Sequence, residues 1–321
     1  KIKFGVVGYG SIAQKHIKLI KTKYPRSDIK ILIHKKKNKF NNKLNFFYKE
    51  KSFFKNKFDY IFLCNPCTRH VDYLEKSIKY KVKNIFVEKP ISDNLKKIEK
   101  FRKKYPNYKS KIIVGYVLLF NKLFTKTLSL LQKDKIGTII SANVVCNSNF
   151  KNWRKNKKYY KTVSANKKLG GGVLNELSHE LNYAIKLFGP IQKVFSKINN
   201  QSTKKIDVET EAQIYCSTKN KIDLGIFLNF LSAKEQRYCE IIGTKSKLLL
   251  DFKNKKIILG NKKIYNIYKN SMYKKQLSFF LNKSKNKSKI ILERFNDSLE
   301  TVKLIEAIKI SGRRKKIVRV N

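Results

Sequence analysis

The sequence predicts an α/β fold: an N-terminal parallel sheet flanked by helices, then an α+β domain with a large, mostly antiparallel sheet. Three observations carry this. Short apolar runs alternate with helical patterns through the first third of the chain, as βαβ units require. The first run leads straight into a glycine-rich turn, Gly8-Tyr-Gly10. After about Leu118 the rhythm changes to long, alternating, β-rich segments. The expected division gives residues 1–118 to the first domain and 119–321 to the second. A chain of 321 residues favours two such cores over one.

Taken in order, residues 2–7 form the first strand, and Ser11 to about Lys23 a helix with Ile12, Ala13, His16, Ile17 and Ile20 on one side. Ile29–Ile33 and Phe58–Leu63 are the next strands, with Asn65-Pro66 as a breaker. A helix over His70–Lys81, a strand at Asn84–Val87 stopped by Pro90, a helix over Leu95–Lys104 and a strand at Lys111–Val114 complete the parallel set. Beyond it, Phe120–Leu131 is helical. Strands are expected at Thr138–Cys146, Ile191–Ile198, Glu209–Ser217, Asp223–Leu231, Arg237–Gly243, Lys247–Asp251 and Lys256–Leu259. One helix, Leu174 to Phe188, interrupts them, and a last amphipathic helix from about Asn296 to Ile310 is ended by Gly312. Asn282–Lys289 reads as a solvated, low-complexity loop.

The net charge of +52 would ordinarily point to a polyanionic partner. The basic residues, however, are 65 lysines and only 9 arginines, whereas nucleic-acid readers rely on the arginine fork. The lysines are spread through the chain among abundant Asn, Ile, Tyr and Phe, residue types that share A/T-rich codons. The charge therefore reads as a compositional bias on every exposed face, with a field that helps to collect anionic small molecules. No nucleic-acid partner is expected. No run of about 18 apolar residues occurs, so neither is a membrane span. The chain opens directly on a strand, which leaves no room for a leader and favours a cytoplasmic location. Cys64 and Cys67 have the spacing of a metal or redox half-site, but no second pair matches it. Reduced thiols and no metal are expected.

Gly8-Tyr-Gly10-Ser11-Ile12-Ala13 is a G-x-G-x-x-A turn between a strand and a helix, the context such a motif needs to bind a dinucleotide. Gly8 permits the turn, Gly10 lets a pyrophosphate approach the backbone, and Ala13 lets the helix pack on the strand. The helix N-terminus then offers its N–H groups to the phosphates. This is the signature of a Rossmann domain. An acidic residue at the end of the second strand would hold a ribose 2′-hydroxyl. The sequence has His34-Lys35 there instead, which suits a 2′-phosphate and favours NADP over NAD.

Three further motifs follow: Asn65-Pro66-Cys-Thr-Arg-His70, Glu88-Lys89-Pro90 and Gly170-Gly-Gly172-Val-Leu-Asn175-Glu176-Leu-Ser-His179. In this order and spacing, and with the last helical run Phe295-Asn-Asp-Ser-Leu through Ser311-Gly, the chain resembles the Gfo/Idh/MocA family of sugar and cyclitol oxidoreductases. The likeness extends from Lys3 to about Val318. It implies that Lys89 sits by the nicotinamide and the substrate hydroxyl, that His179 is the acid/base, and that Asn65, Pro66, His70 and Glu88 lie along the cofactor. The chemistry agrees. Oxidising a carbinol requires removal of its hydroxyl proton, a histidine titrates in the right range, and an ammonium steadies the developing alkoxide. The family resemblance also places Trp153, Arg154 and Tyr160 in a sugar-lining stretch, with a homodimer or homotetramer formed through the C-terminal sheet.

The chain departs from the family pattern in the spacing from the glycines to His179, one residue short, in the run Gly115-Tyr-Val-Leu-Leu119-Phe, which has no basic residue, and at two asparagines. Asn175 and Asn182 stand where many relatives carry aspartate, and Glu176 is a carboxylate one residue further on. Glu176 or Asn175 is expected to assist His179, and Asn182 to touch substrate. The expected activity is hydride transfer between a nicotinamide and a carbinol or ketone of a sugar or nucleotide sugar, in a pathway such as surface-polysaccharide synthesis. The alternative is an NAD(P)-binding sensor of the same fold with impaired catalysis.

Overall fold

In the computed structural model, residues 1–34, 44–153, 158–202, 206–267, 271–282 and 287–320 are described, with the backbone alone for 109–110 and 287–293. Two compact units emerge: Lys1–Gly115 with Tyr273–Leu299, and Tyr116–Met272 with Glu300–Asn321. The first stretch of the first unit ends at Gly115, beside the expected division at residue 118, and a late segment, Tyr273–Leu299, groups with it.

The first unit is built on six parallel strands, β1 (Lys3–Val7), β2 (Asp28–Leu32), β3 (Asn45–Phe47), β4 (Tyr60–Leu63), β5 (Asn84–Val87) and β6 (Ile112–Val114). Their order is β3-β2-β1-β4-β5-β6, the doubly wound arrangement that reverses direction beside the first strand. The helices are α1 (Ser11–Lys23), α2 (Glu50–Phe54), α3 (His70–Lys79) and α4 (Leu95–Lys104). Phe4 and Val6 of β1, Phe62 of β4 and Phe86 of β5 pack with Ala13, Ile17 and Ile20 of α1 into one core. Short β3 and α2 have no counterpart in the expected elements, because three and five residues are too few to show a period.

The second unit begins with α5 (Lys122–Gln132), β7 (Ile139–Asn149), α6 (Val173–Glu176) and α7 (Ser178–Phe188). It continues with β8 (Ile191–Asn199), β9 (Glu211–Thr218), β10 (Asp223–Asn229), β11 (Leu231–Gly243), β12 (Lys247–Asp251), β13 (Lys256–Leu259) and β14 (Lys262–Asn266). Then α8 (Met272–Leu281), α9 (Lys287–Arg314) and β15 (Val318–Arg319) close the chain. The sheet order is β14-β13-β12-β11-β7-β10-β9-β8-β15. Only the β7–β10 pair in it is parallel, so the mixed, mostly antiparallel sheet agrees with expectation. Ala142, Val144, Cys146, Leu224, Ile226 and Leu228 alternate into the core. Leu277, Phe280 and Leu281 of α8 lie in the core of the first unit instead.

Two expectations need correction. The single helix expected over Leu174–Phe188 is broken at Leu177, where Ser178 Oγ donates to the Asn175 carbonyl at 2.9 Å and competes with the helical ladder. Gly312 does not end the last helix, which runs on to Arg314. A side chain at Gly312 would meet Ile198 Cδ1 at 2.9 Å, so this glycine serves close packing. The expected loop at Asn282–Lys289 falls partly outside the described residues, and Lys287 onward is helical. No helix among the described residues is long and apolar enough to cross a membrane.

Candidate active site

The first unit gathers its candidate residues at the carboxyl ends of its strands, where open α/β sheets receive ligands. Gly8, after β1, donates its N–H to the Leu32 carbonyl at 2.9 Å. Its φ is +92°, and a side chain there would come within 2.8 Å of the Cys64 carbonyl oxygen. Gly10 differs: its first side-chain carbon would meet no atom within 4 Å. It opens α1, whose N-terminus has no side-chain cap, and Gly10 and Ser11 are exposed while Ile12 is half-buried. The first-turn N–H groups therefore face a cradle that a diphosphate fits. Beside it, the buried Oδ1 of Asn65 has no hydrogen-bond donor among the described residues, an acceptor suited to a cofactor hydroxyl. The nucleotide implied by the fold thus finds matching groups.

His34, exposed after β2, has Nε2 2.6 Å from the Tyr73 hydroxyl, which donates to Glu50 Oε1 at 2.6 Å. The hydroxyl proton is spent on Glu50, so Nε2 carries its own proton toward Tyr73. Burial pushes the Glu50 carboxyl up, but hydrogen bonds from Lys76 and Tyr73 outweigh it and hold the group below the usual range. Burial raises the Tyr73 hydroxyl, with the Glu50 bond adding to it. Glu50 and Tyr73 were not foreseen, since only the fold brings α2 and α3 to the end of β2. Lys35 lies outside the described residues.

Around Lys89 the geometry is tight. Glu88 continues β5, its N–H donating to the Leu63 carbonyl at 2.9 Å. Its Oε1 lies 2.7 Å from His16 Nε2, and a side chain at Gly115 would come within 2.9 Å of its Oε2. Lys89 is half-buried, and the Lys89–Pro90 peptide is cis. His70 is buried, with Nδ1 2.9 Å from the Pro90 carbonyl oxygen and Nε2 2.9 Å from that of Asn65. The neutral ring has a single N–H, so it donates to one of these two carbonyls and lies against the other, between the turns flanking the cradle. Burial pushes the His70 imidazolium below the ordinary histidine range, against the pull of the two carbonyls.

His16, Cys64 and Glu88 place one donor atom each within 4.8 Å of one another. Two of these donors are bonded to each other, however, and burial together with Glu88 raises the Cys64 thiol well above its usual range. This is the opposite of what a thiolate ligand needs.

In the second unit, the glycine turn carries α6 and α7. At Gly172 φ is +107°, and a side chain would strike Glu209 Oε1 at 2.4 Å. The Glu209 carbonyl accepts from Val173 N at 2.9 Å and its Oε1 from Leu174 N at 3.4 Å. Glu209 fills the turn, and nothing in the sequence near either segment signals it. His179, half-buried on α7, meets the Tyr116 ring edge-on with centroids 5.6 Å apart. The neighbouring Glu180 is fully buried and accepts from Arg237 Nε at 2.6 Å.

Asn175 Nδ2 donates to the Gly170 carbonyl at 3.1 Å, and Asn182 Nδ2 to Thr301 Oγ1 at 3.1 Å. Both amides brace the fold, and Asn182, 1% exposed, ties α7 to α9. Glu176 is half-buried at the end of α6. Trp153 Nε1 donates to Ser148 Oγ at 2.7 Å, with the ring against Phe150 and Phe230. Tyr160 meets Tyr159 edge-on. Arg154 lies outside the described residues.

Comparison with known proteins supplies the family. Residues 2–116 match the oxidoreductase family Gfo/Idh/MocA with its NAD-binding Rossmann fold, and residues 124–249 match the Gfo/Idh/MocA C-terminal domain. No curated protein matches the sequence. An oxidoreductase from Thermotoga maritima shares 20% identity and a TM-score of 0.83, covering 100% of this chain and 98% of that one. The WlbA dehydrogenase from Bordetella pertussis, solved with NADH and UDP-GlcNAcA, shares 16% identity and a TM-score of 0.79 over 100% of this chain and 99% of its own. A myo-inositol dehydrogenase from Corynebacterium glutamicum shares 17% identity and a TM-score of 0.74, with 100% and 99% covered. These structures share the fold, and the two family models cover most of the sequence. The chain belongs to the Gfo/Idh/MocA family of NAD-binding oxidoreductases.

Proposed function

We propose that this protein moves a hydride between a nicotinamide and a carbinol or ketone of a sugar or nucleotide sugar. The observation that carries the reading is the placement of Lys89. It lies two residues beyond the end of β5, at the sheet edge that also presents the open Gly10 cradle and the uncapped N-terminus of α1. The bound nicotinamide supplies the hydride acceptor or donor. Lys89 steadies charge on the substrate oxygen, and His179 takes or returns the hydroxyl proton, with Glu176 as its assisting carboxylate. Gly8, Gly10, Ser11, Ile12, Asn65 and Pro66 hold the cofactor. Trp153 and Tyr160 offer aromatic surface to a sugar. A basic molecular field favours an anionic substrate such as a nucleoside-diphosphate sugar.

NADP is the cofactor we assign over NAD. His34 lies two residues beyond β2, and the nearby Glu50 is already paired with Lys76. The open face of the second unit's sheet exposes Phe195 and Tyr215, 40% and 64% accessible. We assign this face to contact with a second copy of the chain. All five cysteines are free thiols, which suits the cytoplasm.

The test is a panel of sugars and nucleotide sugars with NADPH or NADP, read at the nicotinamide absorbance band. Lys89→Met should lower kcat by at least about 100-fold while NADPH binding, followed by fluorescence, persists. Near-normal turnover in Lys89→Met would overturn the assignment of Lys89, and tighter NADH than NADPH binding would reverse the cofactor assignment. A second reading, a sensor that binds cofactor without turnover, is favoured by the structural use of Asn175 and Asn182. Cofactor binding with no panel substrate consumed would select it.

A further inference from the structure

We propose that His16 and His70 are positioning residues for Lys89, each holding one flank of the Glu88–Lys89–Pro90 turn. The inference rests on the catalytic assignment of Lys89. Between the end of β5 at Val87 and the start of α4 at Leu95, the chain follows no helix or strand. On such a turn the backbone that aims the lysine stem lies outside any helix or strand ladder. Catalysis, however, tolerates only small misplacement of a charged group.

Two buried rings meet this need. His16, 1% exposed, projects from α1, the helix that opens at Gly10, and its Nε2 lies 2.7 Å from Glu88 Oε1. The ring is wedged against Phe62 and Phe86, with centroids 5.3 and 4.9 Å away, so the bond is made from a fixed platform. The approach of Gly115 limits where the Glu88 carboxylate can go. His70, also 1% exposed, opens α3, and its Nδ1 lies 2.9 Å from the Pro90 carbonyl oxygen. Through Nε2 the same ring reaches the Asn65 carbonyl oxygen. The residue before Lys89 is thus tied to the phosphate-facing helix, and the residue after it to the ring that opens α3, whose other edge lies against the Asn65–Pro66 turn. The lysine is referenced to two separate parts of the cofactor cradle.

The two bonds use different ring nitrogens, which gives a crossed test. Asparagine places its amide nitrogen near the Nδ1 position of histidine and glutamine near Nε2. His70→Asn and His16→Gln therefore keep the tie, whereas His70→Gln and His16→Asn move the donor off it. The readout is limited acetylation of the cofactor-free protein with acetic anhydride, resolved by peptide mass spectrometry. The other lysines in each digest are the reference. Loss of a tie should let the half-buried Lys89 swing toward solvent and raise its labelling rate about threefold or more. The expected pattern is a rise in His70→Gln and His16→Asn and near-normal labelling in His70→Asn and His16→Gln. Four variants that label Lys89 alike would overturn the proposal.

Glu88→Ala and Glu88→Gln extend the test without altering a buried ring. Alanine removes the acceptor and should raise labelling, whereas glutamine removes the charge but keeps an oxygen for His16 and should not. Equal labelling in these two would also count against the proposal, even if the histidine variants failed to fold. Labelling needs no substrate, so it is independent of turnover by Lys89→Met. An active Lys89→Met protein would remove the catalytic reading and leave the measured bracket standing.

Discussion

Single residues in the glycine turn separate two roles that the sequence motif merges. Gly8 has φ of +92° and lies against the Cys64 carbonyl, whereas Gly10 has φ of −77° and open space above it. Gly8→Ala should destabilise the protein by roughly 1–3 kcal/mol through backbone strain, seen as a lower Tm with or without cofactor. Gly10→Val should leave the apo Tm nearly unchanged but weaken binding of the reduced nicotinamide cofactor by about tenfold or more, roughly 1.4 kcal/mol, in a fluorescence titration. Equal losses of Tm in both variants would contradict this separation. The motif was legible because its glycines, strand and helix are contiguous. The partners of His34 were not, because Glu50 and Tyr73 reach it from separate helices.

At the scale of elements, the glycine turn and the two helices after it depend on a strand-edge residue far along the chain. Burial lifts the Glu209 carboxyl above its ordinary value, against the pull of Lys309. The unfolded chain gives up this proton at lower pH than the folded one. Stability therefore falls as pH rises from the ordinary value of 4.5 through the folded value, and stays lower above it. Glu209→Gln keeps an oxygen for Leu174 N without the charge. It should raise Tm at pH 7 by roughly 2–4 °C and leave Tm at pH 4 almost unchanged, as calorimetry would show. A lower Tm at pH 7 would mean that the carboxylate stabilises the turn. Long periodic elements such as α1, α3 and α4 were readable with nearly their observed ends. The break at Leu177 and the helix running through Gly312 were not, because a serine side-chain bond and a packing contact with Ile198 decided them.

For the whole molecule, the two sheets were foreseeable in kind but not in membership. Leu277 and Phe280 lie in the core of the first unit although they follow the strands of the second. The open sheet face yields a prediction at this scale. Tyr215→Glu places a charge on the proposed contact between copies and should shift the protein to a smaller species in light scattering. Affinity for the reduced nicotinamide cofactor should not change, since the cradle residues belong to the first unit. An unchanged oligomer would move the contact elsewhere. The sequence by itself determined the alternation of strands and helices, the glycine turn and the positions of Lys89 and His179, because period and contiguous motifs are local properties of a chain. Only the tertiary structure decided that His16 and His70 flank Lys89, that Glu209 fills the glycine turn and that α8 completes the first core. Those contacts join residues far apart in the sequence, and burial selects them by shape and hydrogen bonding rather than by spacing.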